Sequence, residues 1–257
     1  MKMDLFNIIS VTSKNVNTYG VYCIKEKEAE GSQAKINWCK LNDNKYLQIK
    51  IAIDKRGKQV GFIEYTAAEY AWRPVDANNY LFIHCIGIFV KEARNVNLGT
   101  TLIKACEHEA KQQDKSGVCV MTSEGAFMVN KKLFLKNGYK KVDALDRFEL
   151  MVKKYDDKSP SPKLIDWTKQ LKKYKGWNLV YSDQCPWNIK SVNDLRETAL
   201  EYGIDLKIKK IKNSAEAKKT PSGFGVYSLI KDGILLGDHY LSKTRFKSIL
   251  AKELSNK

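Results

Sequence analysis

The chain is poor in the residues from which most recognisable sites are made. Among its 257 residues are three histidines and five prolines, and none of its six cysteines forms a C-x-x-C pair. No histidine stands at ligand spacing from those cysteines, so no metal site is expected. No apolar run approaches the ~20 residues that a membrane helix needs. The opening residues, Met1-Lys2-Met3-Asp4-Leu5, carry no long apolar segment and no small-residue cleavage site, so neither a membrane span nor a secretory leader is expected. Internal repeats are absent. So are G-x-G-x-x-G and G-x-x-x-x-G-K-[ST], which removes two common phosphate-binding loops. The cysteine usage is that of a reducing compartment, so a cytoplasmic location is expected. Cys106 and Cys119 fall in apolar patterns and read as buried thiols.

What is abundant is positive charge. The formal net charge is +16, with +8 in residues 1–154 and +8 in residues 155–257. An even spread reads as a generally basic surface rather than a nucleic-acid stripe, and it suits anionic ligands too. A hydrophobic fraction of 43% is enough for a real core.

The most informative stretch is Arg94-Asn95-Val96-Asn97-Leu98-Gly99-Thr100-Thr101. It follows the apolar run of residues 80–90 and precedes a helical pattern at Leu102, Ile103 and Cys106. The first N–H groups of a helix have no partner within it, and the helix dipole favours an anion there. Asn97 is the kind of non-glycine residue that tolerates positive φ. An ordinary strand–helix turn is the competing reading.

Strands are expected at residues 3–11, 46–53, 59–65, 80–90, 117–122, 139–142 and 148–153, with helices at 15–30, 99–113 and 127–137. Asp54-Lys55-Arg56-Gly57 is a hairpin turn, and Gly138 a C-cap. Lys158-Ser159-Pro160-Ser161-Pro162 breaks both helix and strand, so a linker is placed at 155–172 between domains at 1–154 and 173–257. The second domain reads as strand 177–182, helix 192–202, strand 204–211, hairpin 225–230 and 234–240 around Lys231-Asp232-Gly233, and helix 242–254 capped by Ser242.

The Arg94–Asn97–Gly99 spacing resembles the acyl-CoA loop, Arg/Gln-x-x-Gly-x-Gly/Ala, of GNAT-family N-acetyltransferases. The segment from Asn130 through Leu133-Phe134-Leu135 to Gly138-Tyr139 is similar to that family's second signature. Ile63-Glu64-Tyr65, Ala71-Trp72-Arg73-Pro74 and Ile83-His84-Cys85-Ile86 look like a bacterial subgroup with a C-terminal extension. The resemblance covers residues ~1–153 and implies an α/β (α+β) acyl-CoA N-acyltransferase fold with a mixed, mainly antiparallel sheet. It implies acetyl transfer from acetyl-CoA to a primary amine, small-molecule or peptide, by direct attack in a ternary complex. It further implies that the strands at 80–90 and 117–122 splay, so that the pantetheine arm lies between them. The CoA-contacting residues would be Ile88, Phe89, Val90, Arg94, Asn95, Val96, Asn97, Leu98, Gly99, Thr100, Thr101, Asn130 and Phe134, with an N–H from residues 88–90 polarising the thioester carbonyl. Trp72, Arg73 and Tyr80 would flank the acceptor entrance, with Arg73 suited to a substrate carboxylate.

Phe134 stands where many members place a tyrosine that protonates the departing thiolate. A CoA thiolate leaves readily near neutral pH, so this loss slows transfer without abolishing it. Candidate bases are Glu64, His84 and Glu124. Their plain readings are a solvated strand-end charge, a satisfied core histidine and a helix cap. His84 and Cys85 are adjacent on a strand and point to opposite faces, which argues against a Cys–His nucleophile. A homodimer is compatible with the sequence.

Trp177 to Asn188, with Cys185-Pro186-Trp187-Asn188, resembles the first strand and active-site turn of a thioredoxin-like fold, as in the YoaP-like extension behind some GNAT domains. The resemblance implies a thiol site at Cys185 faced by a cis Pro221. Asn188 stands where the second redox cysteine would be, which excludes a dithiol cycle at this site. The alternative function is a CoA-binding or thiol- or partner-binding adaptor with Cys185 as docking thiol.

Overall fold

The computed structural model describes residues 6–24, 26–43, 46–94 and 96–255. The first elements in chain order are β1 (Phe6–Val11), α1 (Val16–Tyr19), α2 (Glu30–Asn42), β2 (Gln48–Asp54), β3 (Gln59–Ala67), β4 (Val75–Asp76) and β5 (Tyr80–Ile88). Then come α3 (Leu98–Gln112), β6 (Gly117–Thr122), α4 (Lys132–Lys136), β7 (Lys140–Leu145), β8 (Phe148–Lys154) and β9 (Lys163–Leu164). The remainder holds α5 (Thr168–Leu171), β10 (Trp177–Tyr181), α6 (Trp187–Glu201), β11 (Leu206–Lys210), α7 (Ser214–Ala217), β12 (Tyr227–Lys231), β13 (Ile234–Gly237) and α8 (Lys243–Ser255). Two units form: Met1–Lys25, Cys39–Ala71 and Val75–Ile165 make the first, and Glu26–Trp38, Trp72–Pro74 and Asp166–Lys257 the second.

The first unit is built on a seven-stranded sheet of order β1-β2-β3-β5-β6-β8-β7. Only β5 and β6 run parallel, so the sheet is mixed and mainly antiparallel. The β2–β3 turn is held by Asp54, whose Oδ1 accepts from the N–H groups of Arg56 and Lys58 at 2.9 Å each. Those donors, that of Lys58 foremost, hold its carboxyl below the usual range. Gly57 supplies the positive φ, 78°, that the turn requires.

Helix α3 lies on one face of this sheet. Leu98, Leu102, Ile103, Cys106 and Ala110 form its apolar stripe, and all are fully buried against Ile63, Tyr65, Leu81, Ile83, Val118 and Val120. Each such leucine contributes about 1.5–3 kcal/mol by burial. A Cβ at Gly61 would stand 2.9 Å from the Gly87 carbonyl and 3.2 Å from Leu98 Cδ2, so the glycine lets the helix settle onto β3. Lys153 Nζ, on β8, is 2.9 Å from both carboxylate oxygens of Glu107 on α3.

The second unit carries a four-stranded sheet, β11-β10-β12-β13, with β10 and β11 parallel and the other pairs antiparallel. Helix α6 is the crossover between the parallel strands. Its Ser191 Oγ donates to the Leu241 carbonyl at 2.7 Å and lies 2.7 Å from the Tyr227 hydroxyl. Phe246 of α8 meets Trp177 of β10 edge-on at 6.0 Å. Ser242 caps α8 by accepting from the Arg245 N–H at 3.2 Å.

Several expectations need correction. The helix expected at 15–30 is the single turn α1, and the real helix is α2, whose buried positions mix Ser32 and Lys35 with Ile36, Trp38 and Cys39, so its apolar stripe is broken. The helix expected at 127–137 is only α4, because Phe127 adopts a left-handed φ of 61° and Asn130 Oδ1 takes the Lys132 N–H. Residues 3–5 of the first expected strand lie outside the described residues. The proposed linker divides: residues 155–165 count with the first unit, where Tyr80 donates to the Pro160 carbonyl at 3.0 Å and β9 pairs with β4. Among the described residues, no helix is long and apolar enough to cross a membrane.

Truncating Leu102 to alanine leaves a cavity at the centre of the α3–sheet contact. The first unit is expected to lose about 2–5 kcal/mol, read as a shift of its urea midpoint with an unchanged slope.

Candidate functional site

The two parallel central strands part company. β5 and β6 pair only from Tyr80–Gly117 to Ile83–Val120. Beyond that point β5 stays with β3 as far as Ile88, and β6 stays with β8 as far as Thr122. A fork therefore opens between the strands' C-terminal ends. The Phe89 N–H donates to the Val60 carbonyl at 2.9 Å, so Phe89 faces β3. By strand alternation the N–H groups of Ile88 and Val90 face the fork instead. Of the three expected polarising amides, that of Phe89 is thus already committed. Residues 85–88 are half-buried, and Phe89 is exposed.

At the fork's origin β5 carries a bulge. Glu64 pairs with Cys85 and Tyr65 with Ile83, which leaves His84 as the extra residue. Bulges re-aim side chains and bend a strand away from its neighbour. They also suspend simple alternation, so the expectation that His84 and Cys85 point to opposite faces does not carry through this position. His84 Nδ1 stands 3.2 Å from Glu64 Oε1, in electrostatic contact. The Tyr22 hydroxyl donates to Glu64 Oε2. Glu64 is 1% exposed, so it is not a solvated strand-end charge, and the His84 side chain is fully enclosed. The 8% exposure of His84 as a residue belongs to its backbone, at the fork. Burial, and then the Glu64 charge, hold the Tyr22 hydroxyl well above the usual phenol range, so it remains a proton donor. Tyr22 stacks on Phe62 at 3.7 Å, and Phe62 stacks on Phe89 at 5.5 Å. Tyr22 lies 42 residues from Glu64, and nothing in the local sequence marks it as a partner.

The loop after β5 begins with a tight turn in which Ala93 and Arg94 donate to Val90 and Lys91 carbonyls. Asn97 then takes the left-handed conformation, φ 63°, and α3 starts, its Thr101 N–H bonding the Asn97 carbonyl at 3.0 Å. Arg94, Val96 and Asn97 are exposed, Thr100 is half-buried, and Asn95 lies outside the described residues. Lys136 Nζ reaches Asn97 Oδ1 at 3.3 Å, and Asn137 Nδ2 reaches Thr100 Oγ1 at 3.3 Å, so the end of α4 braces the loop. Gly99 and Leu98 are buried. A Cβ at Gly99 would stand 3.2 Å from Leu133 Cδ1, so a side chain there would press on the following helix.

Other expected site residues sit elsewhere. Phe134 is fully buried in the core, edge-on to Tyr139 at 5.2 Å, where it offers no surface to a cofactor. Asn130 spends its carbonyl on the Lys132 N–H at 2.9 Å. Tyr80 is fully buried and anchors Pro160, so it does not flank an entrance. Trp72 and Arg73 count with the second unit, where both are buried: Trp72 is edge-on to Trp38 at 5.2 Å, and Arg73 lies over the Phe224 ring at 4.7 Å. Glu124 is exposed and starts no helix. It lines a cavity of about 420 Å³ at the end of β6, together with Lys131, Arg147 and Glu149. Lys131, at 2.9 Å, and then Lys141 hold the Glu149 carboxyl below the usual range.

In the second unit, Cys185 is half-buried just before α6, and its carbonyl accepts from the Asn188 N–H at 3.1 Å. Asn188 Nδ2 donates to the Ser182 and Val226 carbonyls at 2.9 Å each, which explains an amide at this place: it ties the turn to the residue before β12. No peptide bond among the described residues is cis, so Pro221 is trans, contrary to expectation. Thr220 ahead of it is held in the turn leaving α7 by its own bond to the Ala217 carbonyl, 2.8 Å.

No family model matches the chain. It is 25% identical over 248 residues to a Bacillus subtilis (strain 168) protein named "Uncharacterized N-acetyltransferase YoaP", covering 94% of this chain and 97% of that one. Among solved structures it is similar to the PaiA N-acetyltransferase of Thermoplasma acidophilum in complex with coenzyme A, with 18% identity, 58% of this chain and 99% of that one, and a TM-score of 0.42. It is also similar to yncA of Salmonella typhimurium with its cofactor acetyl-CoA, with 9% identity, 62% and 99% coverage, and a TM-score of 0.44.

Replacing Tyr22 with phenylalanine removes the donor from buried Glu64. The expected cost is about 1–3 kcal/mol in urea unfolding; an unchanged midpoint would show that the hydroxyl does not hold the carboxylate.

Proposed function

We propose that the chain is an N-acetyltransferase that takes its acetyl group from acetyl-CoA and passes it to a primary amine in a ternary complex. One observation carries the reading: β6 leaves β5 beyond Ile83, and the edge so bared leads directly into a loop that starts a helix. An extended amide-bearing chain ending in a pyrophosphate fits such a site. Its amides would bond the edge of β5 around residues 86–88. Its phosphates would meet the N-terminus of α3 between Val96 and Thr100, beside Arg94 and Lys136. The name borne by the Bacillus subtilis relative, which matches over nearly the whole chain, supports the same reading.

When bound, acetyl-CoA supplies an activated thioester and a leaving thiolate. The chain supplies the rest. The Ile88 and Val90 amides are the donors available to the carbonyl oxygen as negative charge develops. An ammonium must lose its proton before it attacks. Glu124, exposed on the cavity at the end of β6, draws the amine in as a cation. The Glu64–His84 pair is enclosed at the fork's origin, so the proton reaches it through a water chain from the amine, and histidine is the side chain type suited to exchange one near neutral pH. Tyr22 positions Glu64. Phe134 in the core cannot protonate the thiolate, so product leaves as thiolate or takes its proton from water. The adaptor alternative has no observation of its own.

We further propose that residues 173–257 form a thioredoxin-like domain with Cys185 as its thiol, a reading supported by the strand order β11-β10-β12-β13 with only β10 and β11 parallel.

Two tests separate binding from chemistry. Thr100→Glu places a carboxylate where the helix dipole welcomes it but where a pyrophosphate is repelled. It should keep or raise thermal stability and weaken acetyl-CoA by ~10-fold or more in calorimetric titration. Unchanged affinity would contradict the proposed loop. His84→Ala should leave that affinity intact and lower kcat by roughly 10²–10⁴ once an acceptor is found, whereas Glu124→Gln should act chiefly on the KM of the amine.

A further inference from the structure

The second unit holds a cavity of about 220 Å³ whose lining does not include Cys185. Its walls come from the segment around α5, from β10 and β11, and from α7. Three lysines line it, Lys173, Lys209 and Lys219, against one carboxylate, Glu216. One oxygen of Glu216 is already engaged by the Lys212 N–H at 3.1 Å. Other lysines of this unit have carboxylate partners, among them Lys190 with Asp194, Lys210 with Asp183, Lys231 with Glu253, and Lys243 and Lys247 with Glu201. Among the described residues, neither Lys209 nor Lys219 has a carboxylate within ion-pair distance, and Lys173 reaches only the neutral Gln170 Oε1 at 2.7 Å. All three lysines are exposed, and a multiply charged anion seated in the cavity would be attracted by each of them.

The floor adds specificity. Val180 is buried and pairs directly with Lys209 across the parallel ladder, so both stand on one face of the sheet. Trp177, packed on α8, takes the opposite face, so by alternation the cavity lies away from α8. Tyr174 lines the cavity, and burial pushes its hydroxyl above the usual phenol range, which keeps it a hydrogen-bond donor. The volume holds about seven waters at ~30 Å³ each. That is the size of a phosphate with a short organic tail, not of a folded partner. We propose that this cavity is a binding site for a small phosphate-bearing ligand, gripped by Lys173, Lys209 and Lys219.

The test uses the full chain carrying Thr100→Glu, so that phosphate binding at the α3 loop is suppressed. Inorganic phosphate and pyrophosphate are titrated by calorimetry, with acetate as the singly charged control. Saturable one-to-one binding of either phosphate is expected. It should weaken by ~10-fold or more in Lys209→Gln/Lys219→Gln and remain in Lys175→Gln/Lys252→Gln, which removes two lysines outside the cavity. Circular dichroism checks that both variants are folded. No saturable binding, or equal loss in the two double variants, would overturn the site and leave only diffuse surface charge.

Discussion

Everything in the first unit turns on a hydrogen-bond ladder that stops early. Parallel strands β5 and β6 pair over four residues and then diverge, each held by its outer neighbour. Backbone groups at a sheet edge seek partners as strongly as any in the protein. A fork in the middle of a sheet is therefore an edge placed where a ligand, rather than another strand, can complete it. The bulge at His84 sits at the point where the strands separate, and the buried Tyr22–Glu64–His84 cluster sits at the bulge. The fork, the cluster and the loop before α3 are consequences of one departure from regular pairing.

That departure is stabilised from both faces. On one, glycines at 61 and 99 admit α3 to close contact with β3 and Leu133, and Leu98 and Leu102 seal the contact. On β3, Ile63 and Tyr65 belong to that core, so Phe62 and Glu64 alternate to the other side, where Tyr22 covers them. A carboxylate buried at 1% exposure is tolerated because it is met by a hydroxyl and an imidazole. The arrangement costs folding free energy, and such costs gather at functional sites.

The strands and the loop were legible because their signals are local. The apolar run of residues 80–90, the Asp54–Gly57 turn and the Asn97–Gly99 pair each announce themselves within a few residues. The fork was anticipated only through a family resemblance, since the point at which two strands cease to pair depends on neighbours far along the chain. Helix α2 is hard to read because its buried face mixes Ser32 and Lys35 with Ile36 and Trp38, and α4 reads too long because nothing local forbids Phe127 a helical conformation. Tyr22 was illegible for the same tertiary reason, and Trp72 and Arg73, which looked like entrance residues, are packed within the second unit.

The most direct measurement is amide hydrogen exchange of the full chain with and without saturating acetyl-CoA. If a bound ligand completes the fork, protection rises at Ile88 and Val90, whose N–H groups face it by alternation, and at residues 96–100, while Phe89, already bonded to Val60, changes little. Binding that leaves Ile88 and Val90 unchanged, or that protects residues outside the fork and loop instead, would contradict the account.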